Sequence, residues 1–331
     1  MNFPVRYSQL DPRELRVELM KRYGFNENLS CNLFDSGLND IYIVKLDSYL
    51  YYLRISLTAV HEKHDYEEEI SIINTLCQND IPAVVPIKCK DGQYIWDINA
   101  PEGKRFAVLF EEAKNQPSDN HEKKCYNLGK SLAKLHMVAD SNNFKVSREP
   151  IDLNQLAIKP LGLISPYLKH RKEDYDFIQK ASEQISTYIE KNLSFEKPYY
   201  GYCHGDIHNG NVFFNGDNPT IFDFDCMGYG WRAYDICVYA WNETAGCEDY
   251  IDKEPWKAFL EGYNSIRKLS DIELVSINAF AALRELWLMG LHARVVEQNA
   301  GCSWYNDSYF DFRMKQFKLW YHRFDKKKEL S

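Results

Sequence analysis

Apolar residues follow two periods along this chain, and the change from one to the other divides it. Over 11–23, Leu15, Leu19 and Tyr23 recur every four residues with charges between them, which predicts an amphipathic helix. Residues 41–46 (Ile-Tyr-Ile-Val-Lys-Leu) and 50–55 (Leu-Tyr-Tyr-Leu-Arg-Ile) are β-branched and aromatic, and Asp47-Ser48 between them predicts a hairpin. A helix is expected over 62–77, with Ile70, Ile73 and Leu76 facing the core. Its start is acidic, which offsets the helix dipole, and Asn79-Asp80-Ile81-Pro82 ends it. Residues 84–87, 93–96 and 105–110 are further strand candidates. Together these predict a small α+β domain over 1–112.

The remainder, 113–331, reads as mainly helical. Leu128, Leu132 and Leu135 form one stripe of a helix over 122–138. Further amphipathic helices are expected at 173–192, 254–268 and 271–298, the last capped by Ser270. The run Lys326-Lys327-Lys328 reads as a solvated tail. There is no internal repeat and no low-complexity tract.

Composition narrows the classes. A length of 331 residues suits about two domains or one bilobed unit. Apolar residues make up 45% and charged residues 27%, as in an ordinary globular protein. Twenty-three Tyr and seven Trp predict a large core with wet aromatic edges. The net charge of −8 and a pI of about 5.7 argue against non-specific nucleic-acid binding, which needs a cationic face. No uninterrupted apolar run approaches the ~18 residues that span a bilayer, and the first residues do not resemble a secretion signal. No nucleic-acid or membrane partner is therefore expected. The nine cysteines (31, 77, 89, 125, 203, 226, 237, 247, 302) are scattered and form no C-x-x-C pair. They read as reduced thiols of a cytoplasmic protein. A zinc site at Cys203 and His204, or at Cys226 and Cys237, lacks both spacing and partners.

The chemistry is concentrated at 202–225. Asp206 is followed five residues later by Asn211, then by a short apolar run at 212–214. Asn215-Gly216-Asp217-Asn218 is a strong hairpin turn signal, and a second run, 220–222, ends at Asp223. Folded as a hairpin, the segment brings Asp206, Asn211 and Asp223 to one point. Such a set suits phosphoryl transfer from a nucleotide. One carboxylate positions the acceptor hydroxyl and takes its proton, while an amide and a carboxylate hold Mg²⁺, which prefers oxygen ligands.

The string His204-Gly205-Asp206-x-His208-x-x-Asn211, followed by Ile221-Phe222-Asp223, resembles the aminoglycoside phosphotransferase/choline kinase-like superfamily, which shares the protein-kinase fold. Residues 128–136 resemble its helix before the catalytic loop, and Tyr234-Asp235-Ile236 its element after the metal ligand. Residues 283–290 are similar to a late helix of the branch containing homoserine kinase type II and the bacterial stress-response kinase. The resemblance implies a bilobed α+β fold, a small sheet-containing lobe and a larger helical one, with ATP or GTP and Mg²⁺ as cofactors. It implies Asp206 as catalytic base and Asn211 and Asp223 as metal ligands. Arg54 stands where the family places a phosphate-holding lysine, a departure, although a guanidinium also grips phosphate oxygens. Glu69 would pair with it, with Glu68 the alternative one residue away. Phe110-Glu111-Glu112-Ala113 matches the hinge whose backbone holds adenine. Ser36 and Asn39 belong to the stretch 36–40, where a phosphate-covering loop is expected.

Other residues have blander readings beside the functional ones. His204 and His208 are expected to pin the loop, with phosphate contact open to His208. Asp235 is expected to accept hydrogen bonds from loop amides. Asp225 is open between support of the metal site, substrate contact and a solvated strand end. Trp231, Tyr239 and Trp241 read as core more readily than as a cation cage, though Trp231 is kept as a substrate candidate with Glu243. Arg284, Glu285 and Trp287 either line the acceptor site or form an internal ion pair beside a packed indole.

Charge points to the acceptor. Residues 223–250 carry six acidic residues and one basic one, a local net of −5, whereas 113–331 as a whole nets only −2. If that surface lines the acceptor site, the acceptor is an amine- or guanidine-bearing small molecule. The expected activity is transfer of a γ-phosphoryl group to a hydroxyl of such a metabolite or antibiotic. A Ser/Thr protein acceptor is the alternative, although Asp225 to Asp235 leaves little room for an activation loop. A non-catalytic nucleotide-binding scaffold would lack Asp206, Asn211 or Asp223, and all three are present. A homodimer is compatible with all of this.

Overall fold

The structure, a computed structural model, describes residues 3–246, 248–296 and 301–328. The chain forms two compact units, Met1–Lys114 and Asn115–Ser331. Cys247 and the end of the helix expected over 271–298 lie outside the described residues.

The first unit begins with α1 (Pro12–Tyr23). Asp11 caps it by accepting from the Arg13 amide, and Gly24 ends it in the left-handed region. The sheet strands are β1 (Ser30–Ser36), β2 (Asn39–Leu46), β3 (Tyr49–Ser56), β4 (Ile95–Ala100) and β5 (Gly103–Glu111). All pair antiparallel in the order β1-β2-β3-β5-β4. Leu46 pairs with Tyr49 across a two-residue turn, where Asp47 takes φ 52°. One sheet face buries Tyr42, Val44, Leu53, Ile55, Ala107 and Leu109 against Leu15 and Leu19 of α1. Between β3 and β4 runs α2 (Lys63–Gln78), started by a reciprocal capping box of Glu62 and Asp65.

One expectation fails in this unit, and one strand was unforeseen. The stretch 84–87 is not a strand; only Pro86 bridges Phe110. β1 was not expected, because its last residues are exposed and polar and show no alternation.

The second unit contains α3 (His121–Asn142), α4 (Lys159–Ile164), α5 (Lys172–Asn192), α6 (Arg232–Gly246), α7 (Glu254–Asn264), α8 (Asp271–Val295) and α9 (Asp307–Lys328). Four short strands interrupt them: β6 (Tyr200–Cys203) paired with β9 (Gly228–Trp231), and β7 (Val212–Asn215) paired with β8 (Asn218–Ile221). The axes of α3 and α7 meet at two glycines. A Cβ on Gly129 would lie 2.0 Å from the Phe259 carbonyl oxygen, and one on Gly262 would lie 1.9 Å from that of Tyr126. Only glycine permits this backbone approach.

α8 is long and apolar enough by composition to cross a bilayer. Here it is packed inside the unit, and three of its buried side chains, Glu273, Arg284 and Glu285, are charged. α6 and α9 were not expected. Lys326, Lys327 and Lys328 form the last turn of α9 and are not a tail; Lys328 pairs with Asp325, one turn before it. Their cations there complement the helix C-terminus.

Candidate active site

β6 delivers the chain into the loop His204-Gly205-Asp206, and the first turn of α6 holds that loop. Asp235 accepts from the backbone amides of His204 (2.7 Å) and Gly205 (2.6 Å). Its Oδ2 also lies 3.0 Å from Nε2 of His136, whose Nδ1 is 2.8 Å from the Tyr263 hydroxyl. Asp235 and His136 are both fully buried. Burial pushes the Asp235 carboxyl up against the pull of His204 and the two amides. Burial, with Arg232 and Arg267 nearby, holds His136 well below the usual imidazole range. A neutral His136 donating from Nε2 to Asp235 and accepting at Nδ1 satisfies every group. Gly205 takes φ +83°, and a Cβ there would meet the Cys226 carbonyl oxygen at 2.1 Å.

Within the loop, His204 Nδ1 accepts from the Asp206 amide (3.2 Å), and Nε2 faces the Phe222 carbonyl (3.1 Å). Burial depresses this imidazole too, against the pull of Asp235 and Asp206. His204 therefore acts as a strut between the loop and the end of the β7–β8 hairpin. His208 Nδ1 accepts from the Gly210 amide (2.9 Å), and its Nε2 lies 3.4 Å from Asp206.

The hairpin then closes the constellation. Asn215 pairs with Asn218 around Gly216, which has φ +62°. Val212 pairs with Ile221, and the Phe222 amide donates to the Asn211 carbonyl (3.0 Å). Asn211 thus sits opposite Phe222 and diagonal to Asp223. Its side-chain amide donates to both the backbone carbonyl and Oδ2 of Asp206, each at 3.0 Å. Asp223 is exposed and holds φ 61°. A non-glycine residue there stores strain, a feature that concentrates at ligand-holding positions. Asn211 and Asp223 offer hard oxygen donors at neighbouring strand ends, a set that fits a divalent cation of the Mg²⁺ or Ca²⁺ type.

Asp206 itself is tightly held. Its side chain is 17% exposed, and Arg284 of α8 pairs with Oδ1. Burial would raise its carboxyl, yet Arg284 and His208 hold it far below the usual carboxylate range. Burial opposes the charge on Arg284, but Tyr234 and Asp206 push its pKa up.

In the first unit, Arg54 and Glu69 meet as a buried pair, with bonds of 2.8 and 3.0 Å. Glu69, not Glu68, is the partner. The rings of Phe110 and Tyr66 lie 5.2 and 5.6 Å from the guanidinium. The other residues of this unit are less available than expected. Ser36 and Asn39 flank a two-residue hairpin turn, and the Ser36 hydroxyl is bonded to Asp40 and Tyr7. In the hinge stretch, Phe110 and Ala113 are buried, while Glu111 and Glu112 are exposed. The Glu111 amide already donates to Val85, which removes it from the groups expected to hold adenine.

The substrate candidates divide. Trp231 is 1% exposed and packs among Phe195, Tyr200 and Phe280, so it is core and not an acceptor contact. Glu285 is likewise buried, accepting from Trp241 Nε1 (2.6 Å) and Arg313 (3.0 Å). Arg284 is turned to Asp206, with Trp287 stacked 4.2 Å away and Trp241 at 5.1 Å. The internal ion pairs beside packed indoles are thus present. Asp225 pairs with Arg148 at 3.9 Å. The acidic run at 223–250 is also largely paired within the chain: Asp235 by buried loop amides, and Glu248 and Asp249 by Lys315 and Lys253 in exposed ion pairs. Glu243 differs. It is half-buried beside the loop, its carboxylate accepts from Asn209, and no Lys, Arg or His among the described residues pairs with it.

Sequence reasoning missed Arg148, which donates to the carbonyls of Phe224 (2.9 Å) and Asp225 (2.6 Å) just beyond Asp223. It lies 76 residues upstream in a loop of no local pattern, and nothing in its neighbourhood marks it.

An antiparallel sheet unit with a buried strand–helix ion pair, followed by a helical unit carrying this loop and hairpin, is the protein-kinase-like fold of small-molecule phosphotransferases. The chain belongs to the phosphotransferase enzyme family, whose profile matches residues 31–269. It is 33% identical to an uncharacterized protein of Synechocystis over 96% of this chain and 87% of that one. It is 25% identical to amicoumacin kinase of Bacillus subtilis over 86% of each. A homoserine kinase of Methylobacillus flagellatus matches at 24% over 78% of each. Among solved structures, an amicoumacin kinase in complex with AMP-PNP, Ca²⁺ and Ami superposes with a TM-score of 0.72, at 19% identity over 93% of this chain and 94% of that one. A microcompartment-associated aminopropanol kinase gives 0.70, at 18% identity over 93% and 95%.

Proposed function

We propose that this protein transfers the γ-phosphoryl group of ATP or GTP to a hydroxyl of a small amine- or guanidine-bearing molecule. The observation that carries this reading is the Asp206 carboxylate. It sits on a loop fixed from both sides, ionised, and bonded to Asn211 at the end of the β7–β8 hairpin. Asp206 would orient the acceptor hydroxyl and take its proton. Transition states of this kind are loose, so positioning counts for more than the strength of the base. Asn211 and Asp223 would hold Mg²⁺, which when bound neutralises charge on the phosphates. Arg54, steadied by Glu69, would hold phosphate oxygens, and the hinge backbone around Glu112 and Ala113 would hold adenine.

Glu243 supports the cationic acceptor. A half-buried carboxylate with no cationic partner among the described residues, tied to Asn209 of the catalytic loop, is a receptor for an ammonium or guanidinium group. The relatives named for amicoumacin, homoserine and aminopropanol act on small molecules, which agrees. A protein acceptor is disfavoured: a short helical turn at Phe224–Cys226, β9 and the start of α6 fill 224–235, leaving no span for a peptide-docking loop.

The test is ADP release from Mg²⁺·ATP and Mg²⁺·GTP across amino alcohols, aminoglycosides, amino sugars and guanidino compounds, with Asp206→Asn alongside. Turnover of a cationic compound that is abolished in the variant is expected. Equal turnover of neutral sugars and their amino analogues would remove the cationic acceptor, and full activity in Asp206→Asn would remove the base.

A further inference from the structure

We propose that Arg284 is the positioning residue of the phosphoryl-transfer loop: by bonding Oδ1 of Asp206 it fixes which carboxylate oxygen an incoming hydroxyl meets. The proposal rests on Asp206 being the group that orients the acceptor.

Three observations carry it. Arg284 comes from the middle of α8, 78 residues beyond Asp206, and is 3% exposed. All its directed contacts go to the loop or to what holds the loop. One terminal nitrogen bonds Asp206 Oδ1, and the other bonds the Tyr234 hydroxyl (2.9 Å) and faces the Gly205 carbonyl (3.4 Å). Tyr234 precedes Asp235, the carboxylate that anchors the same loop from below. A guanidinium has fixed fork geometry, so three such contacts leave it one orientation.

The second observation is the packing of the guanidinium. The Trp287 and Trp241 rings lie 4.2 and 5.1 Å from it. Trp241 is in turn held by Glu285 through its indole N–H, and Glu285 by Arg313. This relay runs from α9 through α8 and α6 to the catalytic loop. It keeps Glu285, the carboxylate next in sequence, from competing for Arg284. It also leaves the guanidinium no open face with which to bind a ligand directly.

The third observation is the division of the carboxylate. Arg284 takes Oδ1, while Asn211 and His208 approach Oδ2 at 3.0 and 3.4 Å. With both oxygens held, the carboxylate plane cannot rotate, and an acceptor hydroxyl meets one lone-pair direction. Loss of Arg284 frees that rotation. Misplacement of a reacting group by about 1 Å costs on the order of 10²-fold in rate without altering distant binding.

The experiment uses the full chain with Mg²⁺·ATP and water as the acceptor, read as steady-state ADP release, and repeats it with ethanolamine added. Arg284→Gln is expected to lower kcat by about 10²-fold with the KM for ATP within about twofold. Arg284→Lys, which keeps the charge but not the fork, should fall between the two. In an Asp206→Asn background, Arg284→Gln should cost almost nothing further, because the two act as a unit. The proposal is overturned if Arg284→Gln keeps wild-type kcat. It is equally overturned if its effect falls on KM for ATP alone, or if it costs the same factor with and without Asp206. Should the Gln variant fail to fold, the Lys variant decides by the same split between kcat and KM. Wild-type activity in Asp206→Asn alone would instead refute the reading of Asp206, an outcome distinct from any of these.

Discussion

Arg54 on β3 and Glu69 on α2 join through two near-parallel hydrogen bonds of 2.8 and 3.0 Å, with side chains 8% and 1% exposed. Removing one partner strands a buried charge, which costs about 3–5 kcal/mol. Replacing both with apolar residues of similar size is often neutral or stabilising. Arg54→Ala should therefore lower the denaturation midpoint strongly, while Arg54→Met with Glu69→Leu should recover most of it. If the pair serves nucleotide, the recovered double variant will still show a raised KM for ATP. A normal KM in that well-folded variant would make the pair purely structural.

Asp235 is the acceptor for two buried backbone amides and the partner of His136. An Asn in its place has one carbonyl oxygen, and its NH₂ opposes the second amide. Each donor left unsatisfied costs about 1–3 kcal/mol. Asp235→Asn should lower Tm and also kcat, since the displaced amides carry Asp206. Denaturation curves with steady-state rates on the folded fraction check this. A lowered Tm with unchanged kcat would separate loop anchoring from chemistry.

The parts of this site legible in the sequence are those that local spacing determines. Asp206, Asn211 and Asp223 are brought together by one hairpin whose turn is written in Asn215-Gly216-Asp217, so their proximity follows from a short stretch of chain. The β2–β3 hairpin and α1, α2, α3 and α5 were legible for the same reason, being periodic and punctuated. That Asp206 is the partner of Arg284, and that Arg148 supports the site at all, were not. Both depend on how α8 and the loop before α4 pack, and no spacing encodes a contact over 76 or 78 residues. Charge counting was misleading for a related reason. The −5 over 223–250 predicts an acidic surface, but most of those carboxylates have partners within the chain, Asp225 and Asp235 in buried contacts and Glu248 and Asp249 in exposed ion pairs with lysines, and only the fold distinguishes Glu243.

His292 on α8 sets part of the acid stability. Its Nδ1 is 2.7 Å from the Tyr309 hydroxyl, and its ring packs edge-on to Trp304. Burial, then the charges of Arg313 and Arg284, pull its pKa down to about 4. Unfolded, the same imidazole titrates near 6.5. Between these values the unfolded chain binds a proton that the folded chain does not, so stability is full above about 6.5 and falls as pH drops toward 4. His292→Gln should flatten the dependence of Tm on pH across that window. An unchanged slope would show that His136 and His204, depressed in the same direction, account for it alone.

Glu243 gives the test of acceptor charge. Burial raises its carboxyl, and Asn209 is its one hydrogen-bond donor among the described residues. A bound ammonium would stabilise the ionised form and gain a charge-assisted bond, about 1.5–3 kcal/mol. Glu243→Gln keeps the shape and the contact to Asn209 but removes the charge. It should raise KM for a cationic acceptor by roughly ten- to a hundredfold and leave KM for ATP unchanged. A neutral hydroxyl analogue, weakly used by the parent enzyme, should be affected far less. Because Asn209 adjoins the catalytic loop, kcat is the control: a fall in kcat equal for both acceptors would mean that Glu243 supports the loop and does not read the substrate.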